Sequence, residues 1–297
     1  MERDEEKPRQ GTYLFDVESG SEIARLIAQG DGATRAMGWL LPPEIELEPL
    51  STVLDLACGP GGWVLDVAFE YPEVEVAGID VSRTMVDYAN ARARSQRLTN
   101  ASFGVMDILG PLDFADNSFD LVNLRFVAGV VPVKHWPAVL TEVVRILRPG
   151  GWAVFTEGEI GNTTSPAANT LSALISQALA VRGQSFDPHG QRVGMTTILE
   201  SLVRRAGFHD IRRQPHMTNF SIWSQDHLSW CTDLRVIFTT IQPVIERMGL
   251  KTKEEYDRLR LAFEIEMNQE WFSAVGFFLS VWGRKSTMAS HTPAELP

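Results

Sequence analysis

The chain has 297 residues, 44% of them hydrophobic and 22% charged, enough for one large globular domain or a domain with a cap. Its formal charge of -11 argues against a nucleic-acid backbone as partner, because that affinity comes largely from Lys and Arg displacing condensed counterions. Cys58 and Cys231 lie far apart without CxxC spacing, which suggests neither a disulfide framework nor a zinc site and fits a reducing cytoplasm.

Residues 1–10, MERDEEKPRQ, have the wrong chemistry for a secretory signal and read as a solvated tail. No apolar run reaches the roughly 18 residues needed to span a bilayer, so no membrane partner is expected. From Ser51 to Gly151, short β-branched runs alternate with longer amphipathic segments, the pattern of βαβ units on a parallel sheet. Strands are predicted at Thr52 to Cys58, Val74 to Ile79, Ala101 to Met106, Phe119 to Phe126 and Trp152 to Glu157. The segment Ser82 to Gln96 opens on a Ser cap and sets Met85, Tyr88, Ala89 and Ala93 near one face, as a sheet-covering helix should. Lys134 to Leu147 behaves similarly, and Arg148-Pro149-Gly150-Gly151 stops it with turn residues. Beyond Glu157 the alternation breaks. Gly161 to Thr164 reads as loop, Pro166 to Arg182 as an extra helix, Gly183 to Gly194 as irregular and Met195 to Ala206 as another helix. Phe208 to Ile222 carries a strand interrupted by Pro215, Ser224 to Glu270 is helical, and Phe272 to Gly283 is a last apolar strand.

The segment Val53-Leu54-Asp55-Leu56-Ala57-Cys58-Gly59-Pro60-Gly61-Gly62-Trp63 is an apolar strand running into a glycine turn and a helix. Gly59 and Gly61 lack a Cβ that would block a ligand from the backbone, and the helix N-terminus offers N–H groups to a carboxylate or phosphate. A dinucleotide fingerprint wants Gly or Ala where Val64 stands, which disfavours NAD. The second strand ends in Asp80, placed to accept from ribose hydroxyls, and the third at Asp107. Gly59, Asp80 and Asp107 then gather at the carboxyl edge, where doubly wound sheets bind ligands.

At this point the sequence resembles the class I methyltransferases dependent on S-adenosylmethionine (SAM). The matching elements are DLACGPG, GIDVS with Met85 following, MDI, NSFDLV and RILRPGG, over roughly Ser51 to Glu157. The resemblance implies an α/β, Rossmann-like, mostly parallel seven-stranded sheet with an antiparallel last strand, helices on both faces and helical cap insertions. It implies that Asp55, Ala57, Gly59, Pro60 and Gly61 surround the methionine part of SAM and that Asp80 holds the ribose. Val81 and Met85 would flank the adenine, with Met106, Asp107 and Ile108 reading its edge; Asn123 and Arg125 would face the methionine and the acceptor. Tyr13, Glu22, Arg25 and Gln29 resemble the leading helix of a small-molecule subgroup, in which Tyr13 and Arg25 close over SAM. The implied activity is in-line transfer of the SAM methyl group to a small-molecule acceptor, leaving S-adenosylhomocysteine (SAH). The alternatives are action on a protein side chain, use of SAM without methyl transfer, or a non-catalytic SAM-binding partner protein. The implied division is 1–10 tail, 11–50 helical segment closing over the cofactor, 51–160 SAM-binding core and 161–194 first cap insertion. It continues as 195–223 core, 224–270 second cap insertion, 271–286 last strand and 287–297 tail.

Two departures bear on substrate and mechanism. Where many relatives carry a histidine after the fourth strand, this chain has Phe126-Val127-Ala128-Gly129-Val130-Val131. The Asn/Asp-Pro-Pro-aromatic stretch of base-amino methyltransferases is absent, which with the acidic charge disfavours nucleic acid. His216 and His189 are the candidate bases because they border the segments expected around the acceptor. His209, His227 and His291 read as surface residues, and His135 as a helix start. Trp223, Trp230 and Phe220 either line an aromatic acceptor pocket or form core between cap and sheet. Glu157 and Glu159 read as a solvated strand end sooner than as carboxylate ligands, and no metal is expected. Asp55 could instead satisfy backbone N–H groups of the turn. The chain could be a monomer or a homodimer.

Overall fold

The computed structural model describes residues 13–14, 19–46 and 50–287. The tails expected at 1–10 and 287–297 fall, except for Thr287, outside the described residues, as does His291.

The helix α1 (Gly20–Met37) ends at Gly38, whose left-handed φ of 75° lets its N–H close back on Thr34 O. β1 (Thr52–Leu56) then alternates Val53 and Leu54 to opposite faces, which puts one in each of two apolar clusters. α2 (Gly62–Glu70) and β2 (Glu75–Asp80) follow, and α3 (Arg83–Gln96) starts where the Ser82 hydroxyl accepts from Met85 N. β3 (Ala101–Val105), β4 (Phe119–Arg125) and α4 (Trp136–Ile146) complete the regular alternation, with His135 at the start of α4 as expected.

β5 (Leu147–Thr163) is longer than the sequence suggests at both ends. Phe119 pairs with Leu147 and Leu121 with Trp152, so Arg148 to Gly151 bulge out of a continuing strand where a turn is predicted. Gly150 takes a φ of 81°, and a Cβ on Gly151 would lie 2.9 Å from Asp120 O. At the other end Asn162 and Thr163 pair with Val275 and Ala274, so the predicted loop from Gly161 is mostly strand.

α5 (Pro166–Val181) is capped by Ser165, α6 (Met195–Arg205) precedes β6 (Phe208–Asn219), and α7 (His227–Arg247) leads to α8 (Lys253–Glu266) with a Thr252/Glu255 capping box. β7 (Ala274–Lys285) closes the sheet. The seven strands run in the order β3-β2-β1-β4-β5-β7-β6, parallel except for β7, which is antiparallel to both neighbours. β6 is an edge strand, so Pro215 interrupts nothing: its missing N–H falls where a strand can do without one.

One face of the sheet is covered by α2, whose Trp63, Val64 and Val67 meet Val53, Leu121, Val154 and Trp282. The other buries Leu54, Leu56, Val122, Leu124 and Phe155 with Val139 and Val143 of α4 and Leu199 of α6. α5, α7 and α8 pack on one another, with Phe238 edge-on to Phe263 and Tyr256 Oη donating to Phe238 O. No helix among the described residues is long and apolar enough to cross a membrane.

Candidate active site

The turn after β1 concentrates left-handed backbone, with φ of 55° at Ala57, 53° at Gly59 and 77° at Gly61. The two glycines are needed for different reasons. A Cβ on Gly59 would meet only Leu26 Cδ1 of α1, at 3.9 Å, so this is where a ligand can approach the main chain. A Cβ on Gly61 would stand 2.6 Å from Phe103 Cε1 and 2.8 Å from Ala89 Cβ. Gly61 therefore also serves the packing of the turn against β3 and α3, a need that the sequence reading does not show. α2 begins at Gly62 with no side-chain cap and no acidic residue in its first turn, which leaves its partial positive end for an anion.

Asp80 closes the same corner: Oδ2 accepts from Gly59 N at 2.9 Å and Oδ1 from Ser82 N at 2.9 Å. Burial raises its carboxyl above the ordinary range, against the pull of these backbone bonds. Asp107 Oδ1 accepts from Leu109 N at 2.9 Å, and Met106 N donates to Asp80 O, so the ends of β2 and β3 are tied together. Met85 is 2% exposed and Ile108 7%, whereas Val81 is 62% exposed. At the start of α3 the open apolar side chain is thus Val81, with Met85 buried behind it.

Asp55 is buried and takes the Asn123 amide across the β1/β4 pair at 2.8 Å, so it does not serve the N–H groups of the turn. Burial pushes its carboxyl up to about 7, opposed by the nearby Arg125 guanidinium and by Asn123. Arg125 reaches away from β4 to α1, donating to Thr34 Oγ1 at 3.1 Å among the charges of Asp55, Asp66 and Asp31. Asp55, Asn123 and Arg125 therefore form one polar seam between the sheet and α1.

Two buried side chains brace the segment after β4: Glu157, which reads as solvated from the sequence, and Gln184, which the sequence does not single out. Glu157 accepts from Val127 N at 2.8 Å and Ala128 N at 3.2 Å, and Gln184 donates to Gly129 O and Val130 O, each at 3.0 Å. Phe126, at φ 57°, lies edge-on to Phe278 beside Gly158. Glu157 is 2% exposed and Glu159 accepts from the N-terminus of α6 through Val193 N, Gly194 N and Thr196 N. The solvated strand end read from the sequence is thus a pair of backbone clamps. A charged residue just past the apolar run Trp152 to Phe155 was the available signal, because a carboxylate at the end of a central strand must find donors.

The acceptor-side candidates scatter. His216 is 5% exposed on β6, stacked on Phe278 at 4.7 Å and bonded through Nε2 to Ser280 Oγ at 3.1 Å, and burial lowers its pKa below the ordinary histidine value. Two strands separate β6 from β4, roughly 14 Å at three strand spacings, so the structure moves His216 away from the crevice. His189 is exposed on the loop before α6, and Trp223 is 81% exposed, because the bend before α7 turns it outward. Trp230 stacks on Phe220 at 5.0 Å and against Phe272, over Gly161 and Gly276, which is the core alternative of the sequence reading. His227 is buried, with Nδ1 2.9 Å from Phe220 O, and is no surface residue. Tyr13 and Arg25 both meet Glu22, and Arg25 also donates to the α7 residue Asp233, so Arg25 joins α1 to α7 while Tyr13 braces it. No cluster of three metal-ligating side chains occurs among the described residues.

Two buried acids with raised values make stability depend on pH. Burial lifts Glu157 to about 8 and Asp55 to about 7. The folded state then binds more protons than the unfolded chain, so this stability is fully present at acidic pH, below the unfolded values, and is lost as pH rises through 7 to 8. The melting temperature should fall by several degrees between about pH 5.5 and 8.5, and the fall should flatten in Asp55→Asn/Glu157→Gln. Parallel slopes for wild type and double variant, in melts followed by circular dichroism, would mean that neither acid carries a raised value.

Residues 53–151 match a family model described as a methyltransferase domain. Methyltransferase str2 of Strobilurus tenacellus is 26% identical over 187 residues, 62% of this chain and 64% of that protein. A demethylmenaquinone methyltransferase of Lactococcus lactis is 28% identical over 177 residues, 56% of this chain and 68% of its own length. The chain thus spans less than two thirds of the Strobilurus relative. Among solved structures, phosphoethanolamine N-methyltransferase 2 of Haemonchus contortus in complex with SAM superposes with a TM-score of 0.50 at 18% identity, covering 89% of this chain and 57% of that one. At that identity the likeness is one of fold.

Proposed function

We propose, from the match of residues 53–151 to a methyltransferase domain, that the chain is a class I, SAM-dependent methyltransferase that transfers the SAM methyl group to a small-molecule acceptor and releases SAH. The observation that carries this reading is the corner where Asp80 Oδ2 meets Gly59 N at 2.9 Å, beside the open flank of Gly59 and the uncapped start of α2. Those groups fit SAM. The helix end suits its carboxylate, the Asp80 oxygens retain lone pairs for a ribose diol, and the Asp55 and Asp80 carboxylates suit its cationic part.

Residue by residue, Asp55, Ala57, Gly59, Pro60 and Gly61 would enclose the methionine portion and Asp80 the ribose. Val81, Met85, Met106, Asp107 and Ile108 would border the adenine, and Asn123 with Arg125 would face the methionine and the acceptor. Arg25 and Tyr13 would act from the α1 side by holding that helix over the crevice. SAM supplies a methyl already bonded to a good leaving group, so the chain's own task is to align the acceptor, exclude water and let a proton leave. Segments 161–194 and 224–270, which contain α5, α7 and α8, would supply the lid for that task. The small-molecule acceptor is supported by the acidic surface and by a β4 exit braced by Glu157 and Gln184, with Phe126 beside it.

Calorimetry with SAH, followed by radiolabelled methyl transfer from SAM into a size-fractionated cell extract, tests the reading. One equivalent of SAH should bind, and label should enter the small-molecule fraction. Label in macromolecules would replace the acceptor class. SAH binding without any transfer would reduce the chain to a SAM-binding partner, and no binding would end the proposal.

A further inference from the structure

A groove lies outside the crevice, in the seam between α1 and α7. Its volume is about 400 Å3, and it is lined by Ala24 and Ala28 of α1 and Leu228 and Val236 of α7, together with Arg25, Asp233 and the hydroxyl residues Ser21, Ser229 and Thr232. That volume is in the range of small-ligand pockets.

Among the described residues the charges in this seam do not cancel. Glu22, Arg25 and Asp233 bring two carboxylates and one guanidinium. All five Arg25 N–H donors are used. Nε donates to Glu22 Oε2 at 2.8 Å, and Nη2 to Glu22 Oε1 at 2.7 Å and Tyr13 Oη at 3.1 Å. Nη1 donates to Gln29 Oε1 and Asp233 Oδ1, each at 3.2 Å. The Glu22 side chain is fully buried and the Arg25 side chain only 4% accessible, while that of Asp233 is 21% accessible. Among the described residues Asp233 Oδ2 accepts no hydrogen bond, so the carboxylate that lines the groove beside Arg25 keeps an oxygen open to a donor.

We propose that this groove binds a small organic monocation, an alkyl or aryl primary amine, with its ammonium on Asp233 Oδ2 and its hydrocarbon part between Ala24/Ala28 and Leu228/Val236. An anion meets a carboxylate and an arginine with no donor to spare. A neutral apolar molecule gains the walls but leaves Asp233 Oδ2 without a donor. A cation gains both, and restores to Asp233 the stabilisation that burial withholds when it raises that carboxyl. The site does not depend on methyl transfer, and a bound amine would bridge α1 and α7 as the Arg25–Asp233 pair already does.

The test is calorimetric titration of the full chain at neutral pH with n-hexylammonium, 1-hexanol and hexanoate. Hexylammonium should bind saturably at one site, 1-hexanol roughly ten-fold more weakly and hexanoate not at all. Asp233→Asn should reduce hexylammonium affinity by about ten-fold or more and leave 1-hexanol unchanged. Because that variant also perturbs the Arg25 network, Val236→Trp is the second probe: it fills the groove without touching an ion pair and should abolish both ligands. The proposal is overturned if hexanol matches hexylammonium, if Asp233→Asn or Val236→Trp, folded by circular dichroism, binds hexylammonium as the wild type does, or if no saturable amine binding occurs.

Discussion

Gly61→Val is expected to lower the melting temperature by about 10 °C and to abolish SAH binding. Two costs act together. At φ 77° a β-branched side chain is strained, and its Cβ would start 2.6 Å from Phe103 Cε1 and 2.8 Å from Ala89 Cβ. Overpacking typically costs about 1–3 kcal/mol and left-handed backbone a further 1–2. The turn cannot yield without moving β3 or α3, and Phe103 pairs with Gly78 on the strand that carries Asp80. Gly59→Ala is the informative companion. Its Cβ has 3.9 Å to Leu26, so only the φ of 53° is strained, and the variant should keep most of its stability while losing SAH affinity. Melting and SAH calorimetry on both variants check the division of labour. Gly61→Val melting within a degree of wild type, or Gly59→Ala binding SAH normally, would refute it.

Replacing Asp80 should weaken SAH binding by at least roughly ten-fold, the usual consequence of losing a charged hydrogen-bond partner worth about 1.5–3 kcal/mol. From the strand end alone, Asp80→Ala would be expected to spare the fold. The structure corrects this, because the carboxylate also accepts from Gly59 N and Ser82 N, and alanine leaves both without an acceptor. Asp80→Ala should therefore lose stability as well as affinity. Asp80→Asn keeps one acceptor oxygen and should stay closer to the wild-type melt while still losing affinity. Calorimetry showing unchanged SAH affinity in a folded Asp80→Asn protein would remove the ribose assignment.

The crevice was legible because each of its parts is local. DLACGPG is a strand, a turn and a helix start in one stretch, and Asp80 and Asp107 end strands whose order follows from short right-handed connections. The acceptor side was not legible. His216 and Trp223 were singled out for residue type near a variable segment, but side-chain direction on an edge strand or a bend depends on what packs there. One is turned into the sheet beside Ser280 and the other out to solvent. The bulge at Arg148 to Gly151 shows the same limit, since turn chemistry can end a strand or kink a continuing one, and only the pairing of Leu121 with Trp152 distinguishes them.

By itself the sequence determined the alternation of strands and helices, the glycine turn and the three strand-end residues of the crevice, since periodicity and turn chemistry act over a few residues. Only the tertiary structure decided which glycine has an open flank, that Glu157 and Gln184 brace the β4 exit, and that Asp233 meets Arg25 across 208 positions of chain. Those outcomes depend on which buried donors and acceptors remain once the layers have packed, a sum taken over the whole fold that no local stretch contains.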